Sequence, residues 1–143
     1  MTKTEKYKHK VQYYETDKMG FVHHSNYIRW FEEARSDFFD KIGAPYSHTE
    51  SMGIISPVLS VSCDYKKSCY YGEEIIIETT LEKVGNVKFF VSYKVMSEDG
   101  ELRATGTSSH CFLNSEGQVV SLKRVRPELF ELIRYCSQSH RAI

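Results

Sequence analysis

One short stretch of the sequence combines an acid, two histidines and the start of a helix. Asp17 is followed by Gly20 and by the adjacent histidines His23 and His24, which lie just before a predicted helix. The first turn of a helix has free backbone N–H groups and a partial positive charge, which together can stabilise an anion. An ionisable cluster at such a helix start is a candidate site for chemistry that forms an oxyanion.

The element that must position this cluster is the helix that follows it. Apolar residues recur every three or four positions from Tyr27 to Ile42, and Ser25 or Asn26 is a good N-cap. Gly43 is a typical helix end. The pattern predicts one long helix over about 26–42, with its apolar stripe buried against a sheet. The residues predicted to be buried are Trp30, Phe31, Ala34 and Phe38.

Outside this helix the hydrophobic period changes to two, which is typical of strands. A first strand is predicted over Tyr7–Tyr14, and residues 46–53 are predicted to be a polar connection. Short turns separate the later strands, so neighbours are expected to pair antiparallel. The later strands are predicted over 59–66, 75–82, 87–95 and 102–112, with a short closing helix after Pro127. The sequence therefore predicts a single α+β domain over 1–143, with a five-stranded antiparallel sheet wrapped around one long helix.

The composition excludes several classes of protein. The 19 Lys and Arg residues balance the 19 Asp and Glu residues, so no basic field favours a nucleic-acid partner. No apolar run approaches the ~20 residues of a membrane-spanning helix, and the charged N-terminus is not followed by the apolar region of a secretory signal. The four cysteines lack a metal-ligand spacing, which favours reduced thiols. We expect a cytoplasmic protein with no integral membrane segment.

The central motif resembles that of the hotdog-fold acyl-CoA thioesterases. The resemblance is carried by Asp-x-x-Gly-x-Val-x-His-x-x-Tyr, from Asp17 to Tyr27, and by the Glu-x-Ala-Arg at 32–35. The sequence is most similar to the 4-hydroxybenzoyl-CoA thioesterase type, including the branch associated with the Tol-Pal operon. The likeness extends over nearly the whole chain in length and element order. It implies a hotdog fold, hydrolysis of an acyl-CoA thioester, and homodimers or homotetramers whose sheets join edge to edge.

The resemblance also implies roles for individual residues. It makes Asp17 the catalytic carboxylate, acting as nucleophile or as general base for water, and it adds His24 and Tyr13 as catalytic candidates. His24 could donate a hydrogen bond to the carbonyl, and backbone N–H groups near it could hold the oxyanion without a metal. The candidate substrate-binding residues are Met19, Gly20, Val22, His23, Tyr27, Lys66 and Lys67.

Several residues of the pattern keep more than one interpretation. Lys66 and Lys67, like the basic run at 123–126, could contact the phosphates of CoA or could simply be solvated. Met19 stands where the family usually has a small residue, and the role of His23 is open. Glu32 and Arg35, three apart on the helix, are expected to pair with each other.

A metal site is a further interpretation of the acid and histidine cluster. Glu15, Asp17, His23 and His24 all carry metal-binding groups. Adjacent histidines of one regular element cannot easily share a metal, and the spacing of a fourth ligand is missing. We therefore expect neither a metal nor a cofactor.

Two other activities would suit the predicted fold. A hotdog enoyl-CoA hydratase has a Gly-Asp-x-Asn-Pro-x-His run, whereas His24 here lies seven residues after Asp17 and the Asn-Pro is missing. A non-catalytic module that binds an acyl group or acyl carrier would keep the fold without the chemistry, although the presence of Asp17 argues against it. The sequence leaves open whether the acyl group is aliphatic or a small aromatic such as dihydroxynaphthoyl.

Overall fold

The computed structural model describes residues 4–137 of the 143-residue chain. The ends of the predicted domain, at residues 1 and 143, lie outside this range. The described strands are β1 Thr4–Lys10, β2 Val58–Tyr65, β3 Glu74–Val84, β4 Lys88–Ser97 and β5 Leu102–Cys111. The described α-helices are α1 Ser25–Lys41, α2 Tyr46–Ser51, α3 Leu122–Val125 and α4 Pro127–Tyr135.

The five strands form one sheet in the order β1-β3-β4-β5-β2, and every pair in it is antiparallel. The antiparallel sheet is as predicted, but the expected pairing of β2 with its sequence neighbour β3 is wrong. The segment 66–73 between them does not form a hairpin, because Tyr70 pairs with Phe21 in the loop before α1. The chain thus crosses from one edge of the sheet towards the other, and β2 pairs with β5.

Helix α1 packs its apolar stripe on the inner face of this sheet. Trp30, Phe31, Ala34 and Phe38 are all buried, which confirms the predicted core face of the helix. The ring of Phe31 stacks on a tyrosine of β4, Tyr93, with centroids 4.3 Å apart. This close approach requires a glycine on β5, because a Cβ at Gly106 would lie 2.3 Å from the Phe31 ring. The helix is therefore fixed over the centre of the sheet.

The first strand ends earlier than the alternation predicts. It stops at Lys10, and Tyr13–Glu15 form a turn of 3-10 helix. The Glu15 carboxylate accepts the backbone N–H of Gln12 at 2.8 Å, which closes this turn. As a result Tyr13 lies outside the strand and is 76% exposed.

Two helix boundaries also differ from the sequence prediction. The polar connection after α1 contains helix α2, which starts where the carbonyl of Pro45 accepts the N–H groups of His48 and Thr49. Helix α1 begins at Ser25, and its N-cap is His24, which makes no side-chain capping hydrogen bond. The start of α1 therefore lacks the side-chain cap expected from Ser25 or Asn26.

Candidate active site

The loop before α1 is anchored by a buried carboxylate, that of Glu15, which is only 3% exposed. One oxygen accepts the indole N–H of Trp30 at 2.7 Å, and the other lies 2.9 Å from Nε2 of His9. Burial raises the pKa of Glu15, but hydrogen bonds from Gln12, His9 and Trp30 outweigh it and hold the pKa below its usual value. Glu15 thus stays ionised and joins β1, the loop and the helix.

The backbone of Glu15 closes the same loop from the other side. Its carbonyl accepts the N–H of His23 at 2.8 Å and the side-chain amide of Asn26, also at 2.8 Å. Inside this closure Thr16 and Val22 form an antiparallel bridge. Residues 16–23 therefore form a short, tight loop that begins and ends beside α1.

Asp17 lies at the exposed end of this loop. Its Oδ1 accepts the backbone N–H groups of Met19 at 2.8 Å and Phe21 at 3.3 Å. Its Oδ2 receives no hydrogen bond from residues 4–137. Gly20 has a φ of +85°, a value that favours glycine, and its N–H donates to the carbonyl of Asp17. The turn therefore fixes one carboxylate oxygen and leaves the other available.

The first turn of α1 offers one unengaged donor. The N–H of Ser25 donates to Nδ1 of His23 at 3.2 Å, and the N–H groups of Asn26 and Tyr27 donate to carbonyls at the start of the helix. The N–H of His24, in contrast, finds no acceptor in the described part of the chain. This amide lies where the helix macrodipole favours negative charge.

The two histidines differ in their surroundings. Their rings stack with centroids 4.2 Å apart, and both are exposed. His23 turns Nδ1 towards Ser25, whereas the His24 ring meets Tyr65 edge-on at 6.3 Å. The Tyr65 hydroxyl also donates to the carbonyl of His24 at 3.1 Å, so the end of β2 holds the start of α1.

An open cavity of about 340 Å³ lies at this helix start. It is lined by Asp17, Phe21, Val22, His24, Tyr27, Tyr65, Lys66, Lys67 and Ser68. The structure thus brings together six of the residues named from the sequence: Asp17, Val22, His24, Tyr27, Lys66 and Lys67. The other four, Tyr13, Met19, Gly20 and His23, do not line it. Tyr13 packs instead against Tyr71, and Met19 is exposed on the outside of the turn.

The two lysines of the cavity have different partners. Lys67 donates to a carboxylate oxygen of Glu101 at 2.8 Å, whereas Lys66 makes no ion pair within residues 4–137. The basic run at 123–126 does not line the cavity, and its Arg126 donates to the carbonyl of Met52 at 2.7 Å. Lys66 is therefore the lysine that is available to an anionic ligand.

The sequence analysis did not identify Arg103, which holds the segment that carries Lys66 and Lys67 in the cavity wall. Its guanidinium makes two hydrogen bonds with the carboxylate of Glu73 and one, at 2.8 Å, with the carbonyl of Ser68. The carbonyl of Cys69 accepts the N–H of Val22 at 2.9 Å, which connects this wall to the Asp17 loop. A charged residue within the alternating pattern of β5 was the only sequence signal for this clamp.

The expected pairing of Glu32 with Arg35 is wrong. Arg35 points into the protein, where its Nε donates to the hydroxyl of Tyr46 and its Nη1 to that of Tyr93, both at 3.0 Å. Glu32 remains exposed on the helix. The reason is that position 35 lies one helix turn after Phe31 on the buried face of α1, which faces Tyr93 of β4.

Comparison with known proteins identifies the family. The family model of the thioesterase-like superfamily matches residues 11–131. The chain belongs to the thioesterase-like superfamily. A putative esterase of Aquifex aeolicus (strain VF5) is 38% identical over 128 residues, covering 90% of this chain and 96% of that protein. A putative acyl-CoA thioesterase of Bacillus subtilis (strain 168) is 38% identical over 106 residues, covering 74% of this chain and 77% of that protein.

Solved structures agree with this membership. A DHNA-CoA thioesterase from Staphylococcus aureus matches with a TM-score of 0.86 at 35% identity, covering 90% of this chain and 87% of that chain. The predicted α+β hotdog fold is confirmed by this likeness and by the sheet around α1. The prediction of a thioester hydrolase is confirmed as well.

Neither a membrane span nor a metal cluster is found between residues 4 and 137. None of the helices there has the length and apolar character needed to cross a membrane. No group of three or more His, Cys, Asp or Glu side chains is placed to hold a metal ion in that range.

Proposed function

We propose that this protein hydrolyses an acyl- or aroyl-CoA thioester to the free acid and CoA, with Asp17 as the catalytic carboxylate. The observation that carries the proposal is that Asp17 and the N-terminal end of α1 line the same open cavity. A carboxylate with one free oxygen and a helix start with an unengaged N–H are the two groups that this reaction requires.

The reaction begins with the thioester carbonyl at the start of α1. The N–H of His24 donates to the carbonyl oxygen and stabilises the negative charge that develops there. Oδ2 of Asp17 either attacks the carbonyl carbon or takes a proton from the water that attacks it, while Oδ1 stays on the amides of Met19 and Phe21. The C–S bond then breaks, and the thiolate leaves without a strong general acid. Where Asp17 is the nucleophile, this step leaves an anhydride between the acyl group and Asp17, and water then hydrolyses it to release the acid and regenerate the carboxylate. In both routes water supplies the oxygen of the acid and the proton of the thiol.

In this proposal the His24 imidazole assists the reaction, and the two lysines of the cavity bind the substrate. The imidazole hydrogen-bonds the carbonyl or orients the water, since His24 lines the same cavity as Asp17. Lys66 and Lys67 contact the phosphates of CoA, and Val22 and Tyr27 form the inner wall. Tyr13, Met19, Gly20 and His23 support the loop from outside the cavity.

The substrate and the branch of the family are also proposals. The relatives named above include a putative acyl-CoA thioesterase and a DHNA-CoA thioesterase, so both aliphatic and aromatic acyl groups are candidates. The motif from Asp17 to Tyr27 favours the 4-hydroxybenzoyl-CoA type, including its Tol-Pal-associated branch. We place the activity in the cytoplasm, in one domain formed by the whole chain, without a metal or cofactor.

We further propose that the protein acts as a homo-oligomer joined along β2. This strand is at one edge of the sheet, where its backbone groups have no partner strand among the described residues. Side chains on both of its faces are exposed, including Val58, Leu59, Val61 and Tyr65. An apolar edge of this kind pairs readily with a second copy. Because Tyr65 lines the cavity, such pairing would also complete its wall.

The deciding experiment is thiol release from a panel of acyl-CoA esters, aliphatic and aromatic, by the wild type and by Asp17→Asn. Hydrolysis by the wild type and its loss in the variant support the proposal. Tight binding of acyl-CoA without thiol release would instead make the protein a binding module. Sedimentation of the same preparations tests the oligomer, and a fully active monomer would contradict it.

A further inference from the structure

A second cavity lies between α1 and β2, further along α1 and nearer the start of β2 than the first. It has a volume of about 120 Å³, and its walls are mainly apolar. Helix α1 contributes Ile28, Phe31 and Arg35, and β2 contributes Val58 and Val61. The first cavity uses the same two elements at His24, Tyr27 and Tyr65. The second cavity therefore lies one to two helix turns beyond the proposed position of the thioester.

A buried cation, the guanidinium of Arg35, lies at the inner end of this cavity and has no counter-charge among the described residues. Arg35 is only 6% exposed, and no carboxylate of residues 4–137 lies within 4.0 Å of its guanidinium. Its hydrogen-bond partners are the phenol hydroxyls of Tyr46 and Tyr93. Burial raises the pKa of Tyr46 to about 12, so this phenol remains neutral.

The groups behind Tyr93 bring no negative charge either. Its hydroxyl lies 2.6 Å from Oγ of Ser108, which in turn lies 2.8 Å from Nε2 of His110. Burial, together with the charge of Arg35, lowers the pKa of His110 to about 4, so the imidazole is neutral at pH 7. At the rim, the exposed Arg29 and Glu32 carry opposite charges. A buried charge is costly unless it is paired, so the guanidinium is suited to a negative group that enters from the cavity.

We infer that the second cavity binds the far end of the acyl group, and that Arg35 selects acyl groups that carry a negatively charged oxygen there, such as a terminal carboxylate. This inference rests on the proposed function. Phe31 is seven residues beyond His24, about 10 Å along the helix axis. Side chains of a helix incline towards its N-terminus, so the Arg35 guanidinium reaches back to that level. An acyl group about 10 Å long, with an apolar middle, would span the two sites.

The remaining N–H groups of Arg35 suit this ligand. Nε and one N–H of Nη1 are used by the two tyrosines, which holds the guanidinium plane in place. Hydrogen bonds from an arginine to a carboxylate are charge-assisted and stronger than those between neutral groups. The apolar walls from Ile28 and Val61 favour a hydrocarbon chain or ring before the charged end.

The test compares octanoyl-CoA with suberoyl-CoA, which have the same chain length but end in a methyl group and a carboxylate. The wild type is expected to prefer suberoyl-CoA by about tenfold or more in kcat/KM. Arg35→Met should abolish that preference, Arg35→Lys should retain part of it, and the surface control Lys83→Met should leave it unchanged. A wild type that hydrolyses both esters equally, or a preference that survives Arg35→Met, would overturn the inference.

A second variant keeps the inference testable if Arg35→Met does not fold. Ile28→Phe, which narrows the cavity from the α1 side and leaves the β2 edge unchanged, should lower kcat/KM for both eight-carbon esters much more than for acetyl-CoA. An equal loss on all three esters would count against the cavity as the acyl site. If Arg35→Met weakens self-association and slows both eight-carbon esters equally, a partner subunit supplies the counter-charge and the inference is wrong. Absence of thiol release from every ester would refute the proposed function itself, which is a separate result.

Discussion

The indole N–H of Trp30 donates a 2.7 Å hydrogen bond to the carboxylate of Glu15, which connects the buried core of α1 to the loop that carries Asp17. Neither residue lines the proposed active site. The same carboxylate receives the N–H of Gln12 and lies beside His9 on β1. The position of Asp17 relative to the start of α1 is therefore set by a hydrogen-bonded group inside the protein.

Replacing Glu15 should cost stability. Glu15→Ala leaves the buried indole N–H of Trp30 without an acceptor, and the expected loss is about 3 kcal/mol in the free energy of unfolding. Glu15→Gln keeps the size and one acceptor oxygen, so a smaller loss is expected. Urea denaturation measures both losses, with the exposed Glu50→Gln as a control that should change little. An unchanged midpoint for Glu15→Ala would show that the loop is held by other contacts.

The buried His110 should make stability depend on pH. Its pKa is about 4 in the folded protein and 6.5 in the unfolded chain, so the unfolded state binds more protons between these values. The contribution of His110 is thus complete above pH 6.5 and is lost as the pH falls towards 4. The expected slope in this window is up to about 1.4 kcal/mol per pH unit. Urea denaturation as a function of pH should show this slope in the wild type and in the exposed control His48→Gln, but not in His110→Gln.

Much of the fold could be predicted because its signals are local. The three-to-four spacing that includes Trp30 and Phe31 marks the buried face of one helix, and the period of two marks the strands. The pairing partner of β2 could not be predicted in this way. It depends on the segment 66–73 pairing with the loop at Phe21, a contact between parts of the chain that are distant in sequence.

The candidate site also has one part that local sequence signals predict and another part that they do not. The residues from Asp17 to Tyr27 could be named together because one loop and one helix start hold them. Tyr65 and Arg103 could not, since they reach the site only through the crossing of β2 and the sheet order. The alternation placed Tyr13 within the first strand, but the strand ends at Lys10, and the 3-10 turn closed by Glu15 leaves Tyr13 exposed.

The two lysines of the cavity should contribute unequally to CoA binding. Lys67 is paired with Glu101, whereas Lys66 has no ion pair in the described range, so Lys66 meets the phosphates at a lower cost. Lys66→Ala should raise KM for an acyl-CoA severalfold, and Lys67→Ala should raise it less, with kcat nearly constant in both. An acyl-pantetheine thioester, which lacks the phosphates, is the control and should show no difference between the variants. An equal rise in KM for the two variants would argue against this distinction.

Replacing the Asp17 carboxylate should affect the chemical step and little else. Asn at position 17 still offers an oxygen to the N–H groups of Met19 and Phe21, so the turn should keep its shape while the nucleophilic or basic oxygen is lost. Asp17→Asn should lower kcat by about 10²-fold or more with little change in KM, because the carboxylate acts on the reacting carbon. His24→Ala should cost less, since the backbone N–H at the helix start remains to hold the oxyanion. Steady-state thiol release measures both variants, and wild-type turnover by Asp17→Asn would move the chemistry to another group of the cavity.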